Sequence, residues 1–455
     1  MYPITICDGA REKALFAALK ARGGEIDARV TAACAEILAV VKQYGDPAVR
    51  AFTEYFDVKQ LRDTLNVVAE VRELLNKGTF EGGTANKTQE IPRKALEEAA
   101  ASREPKFIAA LEAASANIRA FHEKQKRQSW LTMEADGVIL GQRIRPLKRV
   151  GVYVPGGTAL YPSSVLMNVI PAKIAGVEEI IMATPEQPGG GADAGILAAA
   201  LVAGVDRVFL VGGAQGVAAL AYGTETIPQV DKIVGPGNPF VAATKKLLYG
   251  MVDIDMIAGP SEILIIADET ANPKFLAADL LSQAEHGRDS GAVLLCTSLA
   301  VAEATALDLD IQLAALPRGA LAAEALKNFG ALVVCESLEQ AVAYANDYAP
   351  EHLELCVQNP MDLLGAADNA GSVFLGHYTP EAVGDYYAGP NHVLPTGGTP
   401  RFFSPLSVDD FIKKIQFISY TPPALEKALD AVVILAETEG LEAHANAVKV
   451  RFSQH

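Results

Sequence analysis

Two grammars of apolar and polar positions divide the chain. Before about residue 135, the stretches EKALFAALKARG, VTAACAEILAVVKQYG and PRKALEEAAASREPKFIAALEAASANIRAFHEKQ are rich in alanine, apolar at helical spacing and charged along one side. That period predicts amphipathic helices. KGTFEGGTANKT, at 77–88, is polar and rich in Gly and Thr, which predicts a loop. From Ile144 the pattern becomes short Val/Ile-rich runs separated by Ala-rich helical stretches: VGVYV, EEIIMAT, DRVFLVGG, DKIVGPG, EILIIAD, GAVLLCT, ALVVCES, HLELCV and AGSVFL. Strands alternating with helices predict parallel sheets with right-handed crossovers. Nine runs exceed one comfortable sheet, so two α/β modules are expected. The divisions read as a mainly helical region over 1–135, a first module over 136–260, a second over 261–400 and a small helical segment over 401–455.

One helix end carries candidate chemistry. Asn272 suits an N-cap, Pro273 the first helical position, and Phe275, Leu276, Leu280 and Leu281 form an apolar stripe. With Gly287 as the residue after the helix, Gln283 and His286 share one face of its last turn. Two candidate ligands do not make a metal site, and on spacing alone a solvated helix end is the better reading of them.

Charge narrows the partners. The 455 residues hold 39 basic and 55 acidic side chains, a net −16, which disfavours nucleic acid and anionic membranes. The first residues, MYPITICDGAREKALFAALKARGG, scatter charges through any apolar core a secretory signal would need. No run reaches the ~18 apolar residues of a membrane helix. The five cysteines are odd in number and form no CxxC pair, and three sit in apolar strand-like runs, so reduced, buried thiols in a cytoplasmic protein are expected. Cys356 lies near His352 and admits a thiolate nucleophile, although its neighbours read as strand core.

In the first module, strands run directly into glycine: Val152-Tyr153-Val154-Pro155-Gly156-Gly157, Val211-Gly212-Gly213-Ala214-Gln215 and Val234-Gly235-Pro236-Gly237-Asn238. Such turns let backbone N–H groups approach an anion, as in dinucleotide folds. No GxGxxG follows a strand with an acid ~20 positions on, and GGGADAG at 189–195 has the wrong spacing. Plain turn chemistry accounts for these glycines as readily. Tyr153, Gln215 and Asn238 stand at strand ends where open sheets place ligands, and Ser261 opens the second module similarly; capping a helix is the alternative for Ser and Asn.

Of seven histidines, His122 and His455 read as solvated surface. Glu351 and His352 stand side by side in YAPEHLEL, a carboxylate beside an imidazole as proton transfer requires, although on the residues alone surface or core roles come first. They can share one site only if the strand has not yet begun, because neighbours on a strand point to opposite faces. The stretch HYTPEAVGDYYAGPNHVLPT, 377–396, has neither helical nor strand period and supplies Asp385 and His392. Glu439 and His444 follow in EGLEAH. Gln283, His286, Asp385 and His444 together offer two imidazoles and two oxygen donors, a set that suits zinc, with the weak amide ligand replaceable by a substrate.

Ordered blocks from about Ala116 to Arg451 resemble the histidinol dehydrogenase family: GVYVPGG, VGGAQ, VDKIVGPGN, DMIAGPSE, DLLSQAEHG, YAPEHL, AGSVFLG, GDYYAGPNHVLPT and LEAH. The first hundred residues match loosely. The resemblance implies one zinc per subunit held by Gln283, His286, Asp385 and His444, and an acid–base pair of Glu351 and His352. It implies NAD contacts at Tyr153, Gln215 and Asn238, and substrate contacts at Ser261, Gln283, His286, His352, Asp385, Glu439 and His444. It further implies incomplete Rossmann-like modules and a homodimer in which the C-terminal segment crosses to the neighbouring subunit. The expected reaction is NAD-linked, four-electron oxidation of L-histidinol to L-histidine through the aldehyde. Oxidation of a different primary alcohol, a zinc hydrolase and a non-catalytic binding module are the alternatives.

Overall fold

The computed structural model describes residues 2–21, 27–59, 63–78, 89–156, 160–187, 190–257 and 259–453. The loop predicted at 77–88 lies outside these residues from 79 onward, as do Gly157, Gly189 and His455. Contacts divide the chain into two units, 1–125 with 148–411 and 126–147 with 412–455.

The larger unit is built on two sheets of six strands. The first runs Gln89–Ile91, Arg207–Leu210, Glu179–Thr184, Arg149–Tyr153, Lys232–Val234, Asp253–Ile254, parallel throughout except for the antiparallel edge Gln89–Ile91. The second is wholly parallel and runs Ile4–Ile6, Gly330–Val334, Gly291–Cys296, Glu262–Ala267, His352–Cys356, Ser372–Leu375. All nine predicted runs are strands. Leaving aside the edges Gln89–Ile91 and Ile4–Ile6, both sheets place their strands in the order third, second, first, fourth, fifth. The two halves therefore share one topology, the Rossmann-like half.

Strand Glu262–Ala267 shows why these runs are apolar without alternation. Ile263, Ile265 and Ala267 join one buried cluster, while Leu264 and Ile266 join another. The sheet is thus covered on both faces, as parallel sheets are. Among the described residues no helix is long and apolar enough to cross a membrane. All five cysteines are buried and unpaired, and burial pushes the Cys356 thiol up. That removes the thiolate nucleophile considered for it.

Several local expectations change. The stretch from 92 to 125 is two helices, Arg93–Ala101 and Pro105–His122, because Pro105 disfavours helical backbone at the residue before it. His122 is fully buried, with Nδ1 2.8 Å from the Ile118 carbonyl and Nε2 facing Asn391, rather than solvated. The helix capped by Asn272 spans Pro273–Ala284, so Gln283 lies in its last turn and His286 just beyond it, not within that turn. The segment 377–396 contains a short helix, Glu381–Tyr386, whose few residues are too short to show a period.

The small unit combines an antiparallel sheet, Ile412–Ser419, Ile139–Pro146 and Trp130–Met133, with helices Pro422–Thr438 and Glu442–Lys449. Thr421 caps the longer helix, and its hydroxyl donates to the Asp136 carbonyl. Trp130, Leu131, Met133, Ile418, Ile434 and Leu435 are exposed on this unit.

Candidate active site

A cavity of about 410 Å³ opens where the carboxyl ends of the first sheet's strands meet the amino ends of the second's. From the first come Pro155 and the turn Gly235-Pro236-Gly237-Asn238; from the second come Ser261, Glu351 and His352, at the heads of their strands. His286, in the connection leading to strand Gly291–Cys296, lies at that same amino edge. A helix end that points away from the usual crevice of its own sheet here points into the crevice of the other module.

Glu351 precedes strand His352–Cys356, so both side chains can turn to one site. Glu351 Oε2 accepts from the Glu262 N–H at 2.9 Å and lies 3.7 Å from His352 Nδ1. Burial pushes the Glu351 carboxyl up to about 7 against the pull of His352. His352 Nδ1 is 3.1 Å from the Glu262 carbonyl. A carbonyl only accepts, so Nδ1 carries a proton, and whenever the ring is neutral its lone pair is on Nε2. That Nε2 is buried without a hydrogen-bond partner among the described residues and stands 3.6 Å from Asp385 Oδ1, an ion-pair distance beyond hydrogen-bond reach. Burial opposes charge on the ring, but Glu351, Asp385 and Glu381 outweigh it and raise the imidazole to about 10.

Asp385 is oriented by His392, whose Nδ1 donates to the Asp385 carbonyl at 2.9 Å while Nε2 accepts from Ser164 Oγ at 3.2 Å. Burial would raise the Asp385 carboxyl, yet His352, His392 and His286 hold it below the usual carboxylate range. His286 has accessible surface because it faces the cavity, but the protein around the ring still lowers its pKa, which keeps it neutral. Gln283 is fully buried, and both its Oε1 and Nε2 lack partners among the described residues. Leaving such groups unmade costs about 1–3 kcal/mol each. A neutral imidazole, an ionised carboxylate and an orphaned amide are the forms in which these groups would hold a cation, so the donor set fits zinc. The candidate ligands whose atoms lie within 4.8 Å of one another among the described residues are His352, Glu381 and Asp385, a grouping that shares only Asp385 with the expected zinc set. Glu439 and His444 are exposed on the small unit.

Several polar residues here carry no readable sequence signal. Glu381 lies one helical turn before Asp385, and its backbone N–H donates to Glu354 at 2.8 Å. Asp279 sits beside Glu354; burial lifts Asp279 to about 6, Glu381 to about 7 and Glu354 well above its ordinary value. Such crowded carboxylates share protons. Only the spacing of Glu381 and Asp385 by four residues hinted at a common face. At the glycine turn, Gly235 N–H donates to Asp255 at 2.8 Å and Lys245 Nζ donates to the Gly235 carbonyl at 3.0 Å, while Lys245 and Asp255 form a buried ion pair. Gly235 has φ +113°, and a Cβ there would lie 2.1 Å from the Tyr153 carbonyl oxygen.

The expected cofactor residues divide. Asn238 is exposed at the cavity, its side-chain oxygen capping helix Pro239–Leu248 through the Phe240 and Val241 N–H groups. Tyr153 and Gln215 are buried at the neighbouring Gly212-Gly213 turn, where the Tyr153 hydroxyl accepts from Gly213 N–H at 3.0 Å.

The sequence profile described as histidinol dehydrogenase matches residues 20–452. A histidinol dehydrogenase of Listeria innocua is 56% identical over 375 residues, 82% of this chain and 87% of that protein. One from Listeria monocytogenes is 52% identical over 92% of each chain. The crystal structure of histidinol dehydrogenase from Elizabethkingia anophelis superimposes with a TM-score of 0.88 at 36% identity, covering 99% of this chain and 98% of that one. On a match of this length and identity, the chain belongs to the histidinol dehydrogenase family.

Proposed function

We propose that the protein is a zinc- and NAD-dependent dehydrogenase that oxidises L-histidinol to L-histidine through L-histidinaldehyde. Its relatives carry the name of that activity. The observation that carries the reading is His352, whose Nδ1–H is tied to the Glu262 carbonyl while Nε2 stands buried beside Asp385, without a hydrogen-bond partner among the described residues. When bound, zinc fixes the substrate's nitrogens in place and NAD accepts the hydride.

The chain's own groups supply the rest. Gln283, His286 and Asp385, with His444 as the fourth member, are the proposed ligands. Tyr153, Gln215 and Asn238 are the proposed cofactor contacts, with Ser261 and Glu439 at the substrate. His352 takes the hydroxyl proton at Nε2 as the alcohol is oxidised. The field of Asp385 contributes to the raised basicity of this ring. Compensating that carboxylate's charge brings the imidazole back toward neutrality, where it can act as a base. Glu351, close to half-ionised near neutral pH, then draws a proton from water as it adds to the aldehyde. His352 serves again in the second oxidation. Keeping the aldehyde in the cavity protects it from solvent.

The working form is proposed as a homodimer, with His444 and Glu439 of each chain completing the neighbouring site; the exposed apolar residues of the small unit support such an interface. Five unpaired thiols support a reducing, cytoplasmic setting. The test is absorbance of NADH on mixing the purified protein with histidinol and NAD. A chelator should abolish it and added zinc restore it. Absence of NADH, or full turnover after complete metal removal, rejects the reading.

A further inference from the structure

Dinucleotide folds place an acidic residue at the end of the second strand, where it reads the adenosine ribose 2′-hydroxyl. The sequence offered none at the usual spacing. In three dimensions, however, two carboxylates converge on the ends of the first sheet's second and third strands. Asp57 is carried on a π-helical turn, Glu54–Val58, a local insertion in the helical ladder of the kind that gathers at functional sites. Its Oδ2 accepts from the Gly212 N–H at 3.3 Å, and a Cβ on Gly212 would sit 3.2 Å from that oxygen. Glu186 lies two residues past the end of strand Glu179–Thr184, and its charge reaches Asp57.

Two further observations point to a ligand at this turn. Gln215, at the start of the helix leaving Gly213, is 1% exposed, and its Nε2 has no partner among the described residues. Its Oε1 lies against Gly213, the residue whose N–H the Tyr153 hydroxyl engages. The Tyr153 hydroxyl and the Asp57 carboxylate therefore bind successive N–H groups of one glycine turn. An ionised carboxylate accepts more than one hydrogen bond, so Asp57 has room for a donor hydroxyl after serving Gly212. Burial raises the Asp57 carboxyl to about 6, with Glu186 adding to the shift, so at neutral pH the group is mostly charged in a site partly shielded from water.

We propose that Asp57, backed by the charge of Glu186, reads the ribose 2′-hydroxyl of the cofactor's adenosine half and repels a 2′-phosphate. Asp57 thereby sets the choice of NAD over its 2′-phosphorylated form. This rests on the NAD reading above. It assigns specificity to a residue from the N-terminal helical region, remote in sequence from every glycine turn of the module.

Binding of ADP-ribose and of its 2′-phosphate, measured by calorimetry on the zinc-loaded protein, separates the possibilities. The native protein should prefer the unphosphorylated ligand, and Asp57→Asn should shrink that preference by about tenfold, equivalent to the loss of one good discriminating contact. An unchanged ratio overturns the inference, including the case in which both ligands weaken equally because the turn has merely loosened. Glu186→Gln, on a partly exposed side chain, should move the ratio in the same direction by a smaller factor. If Asp57→Asn does not fold, an unmoved ratio in Glu186→Gln overturns the proposal instead. Should the native protein bind neither ligand and form no NADH from histidinol, the nicotinamide reading falls and takes this inference with it. NADH formation with an unaltered ratio in the variants sinks the inference alone.

Discussion

At His352 the two ring nitrogens have different surroundings, and the difference assigns the work. Nδ1 is held by the Glu262 carbonyl, and Nε2 is buried beside Asp385 with no hydrogen-bond partner among the described residues. Glu351 is neither needed for that tautomer nor placed on the same ring nitrogen's open side. Its separate duty gives a sharp outcome: Glu351→Gln should keep alcohol oxidation within a few-fold but slow aldehyde-to-acid conversion by about 10²-fold or more. Single-turnover NADH yields from histidinol and from histidinaldehyde make the comparison; equal losses would refute the division of labour. Glu351 and His352 were legible because they are adjacent in sequence. Glu381, Glu354 and Asp279 were not, since a carboxylate on a short helix or strand reads as surface until packing buries it. His122 erred the other way: charged neighbours hid a ring whose bonds to Ile118 and Asn391 let it sit in the interior.

Among the elements, the turn after strand Lys232–Val234 is held by several contacts at once. Lys245 and Asp255 grip the backbone of Gly235 from both sides, and the Tyr153 carbonyl occupies the space a side chain would need. Positive φ costs a non-glycine residue about 1–2 kcal/mol, and overpacking adds about 1–3 kcal/mol. Gly235→Ala should therefore destabilise well beyond Gly191→Ala, which also has positive φ but open space around it. Urea unfolding midpoints decide; equal shifts would contradict the close approach. The long apolar strands were plain in the sequence because burial on both faces writes an unbroken run. Strands Ile4–Ile6, Gln89–Ile91 and Asp253–Ile254 were missed because two or three residues cannot display a period. The small unit's strands, largely exposed, lack the apolar run that marks the others.

For the whole molecule, the proposed exchange of His444 between subunits has a direct test in mixed dimers. His352→Asn and His444→Ala should each be nearly inactive alone. Refolded together, they should regain activity, because a dimer of one each contains one site with an intact base and an intact donated imidazole. Recovery should approach a quarter of the native rate for random pairing, an estimate that assumes independent sites in a closed twofold dimer. No recovery would mean that His444 serves its own chain or no site. That the site needs distant segments was legible from the spread of its candidate ligands. Which edges of the two sheets would face each other was not, because nothing in a strand's own pattern says which sheet end meets another module.

The pairing of Ile4 with Leu332 carries a consequence for the order of assembly. On the ribosome, Ile4–Ile6 is made early but waits for Gly330–Val334, so that edge of the second sheet closes only after more than three hundred residues have emerged. Until then the nascent protein holds an apolar strand without its neighbour, a surface open to mispairing between growing chains. A mutation in those three residues would therefore act during biogenesis as well as on the folded sheet edge.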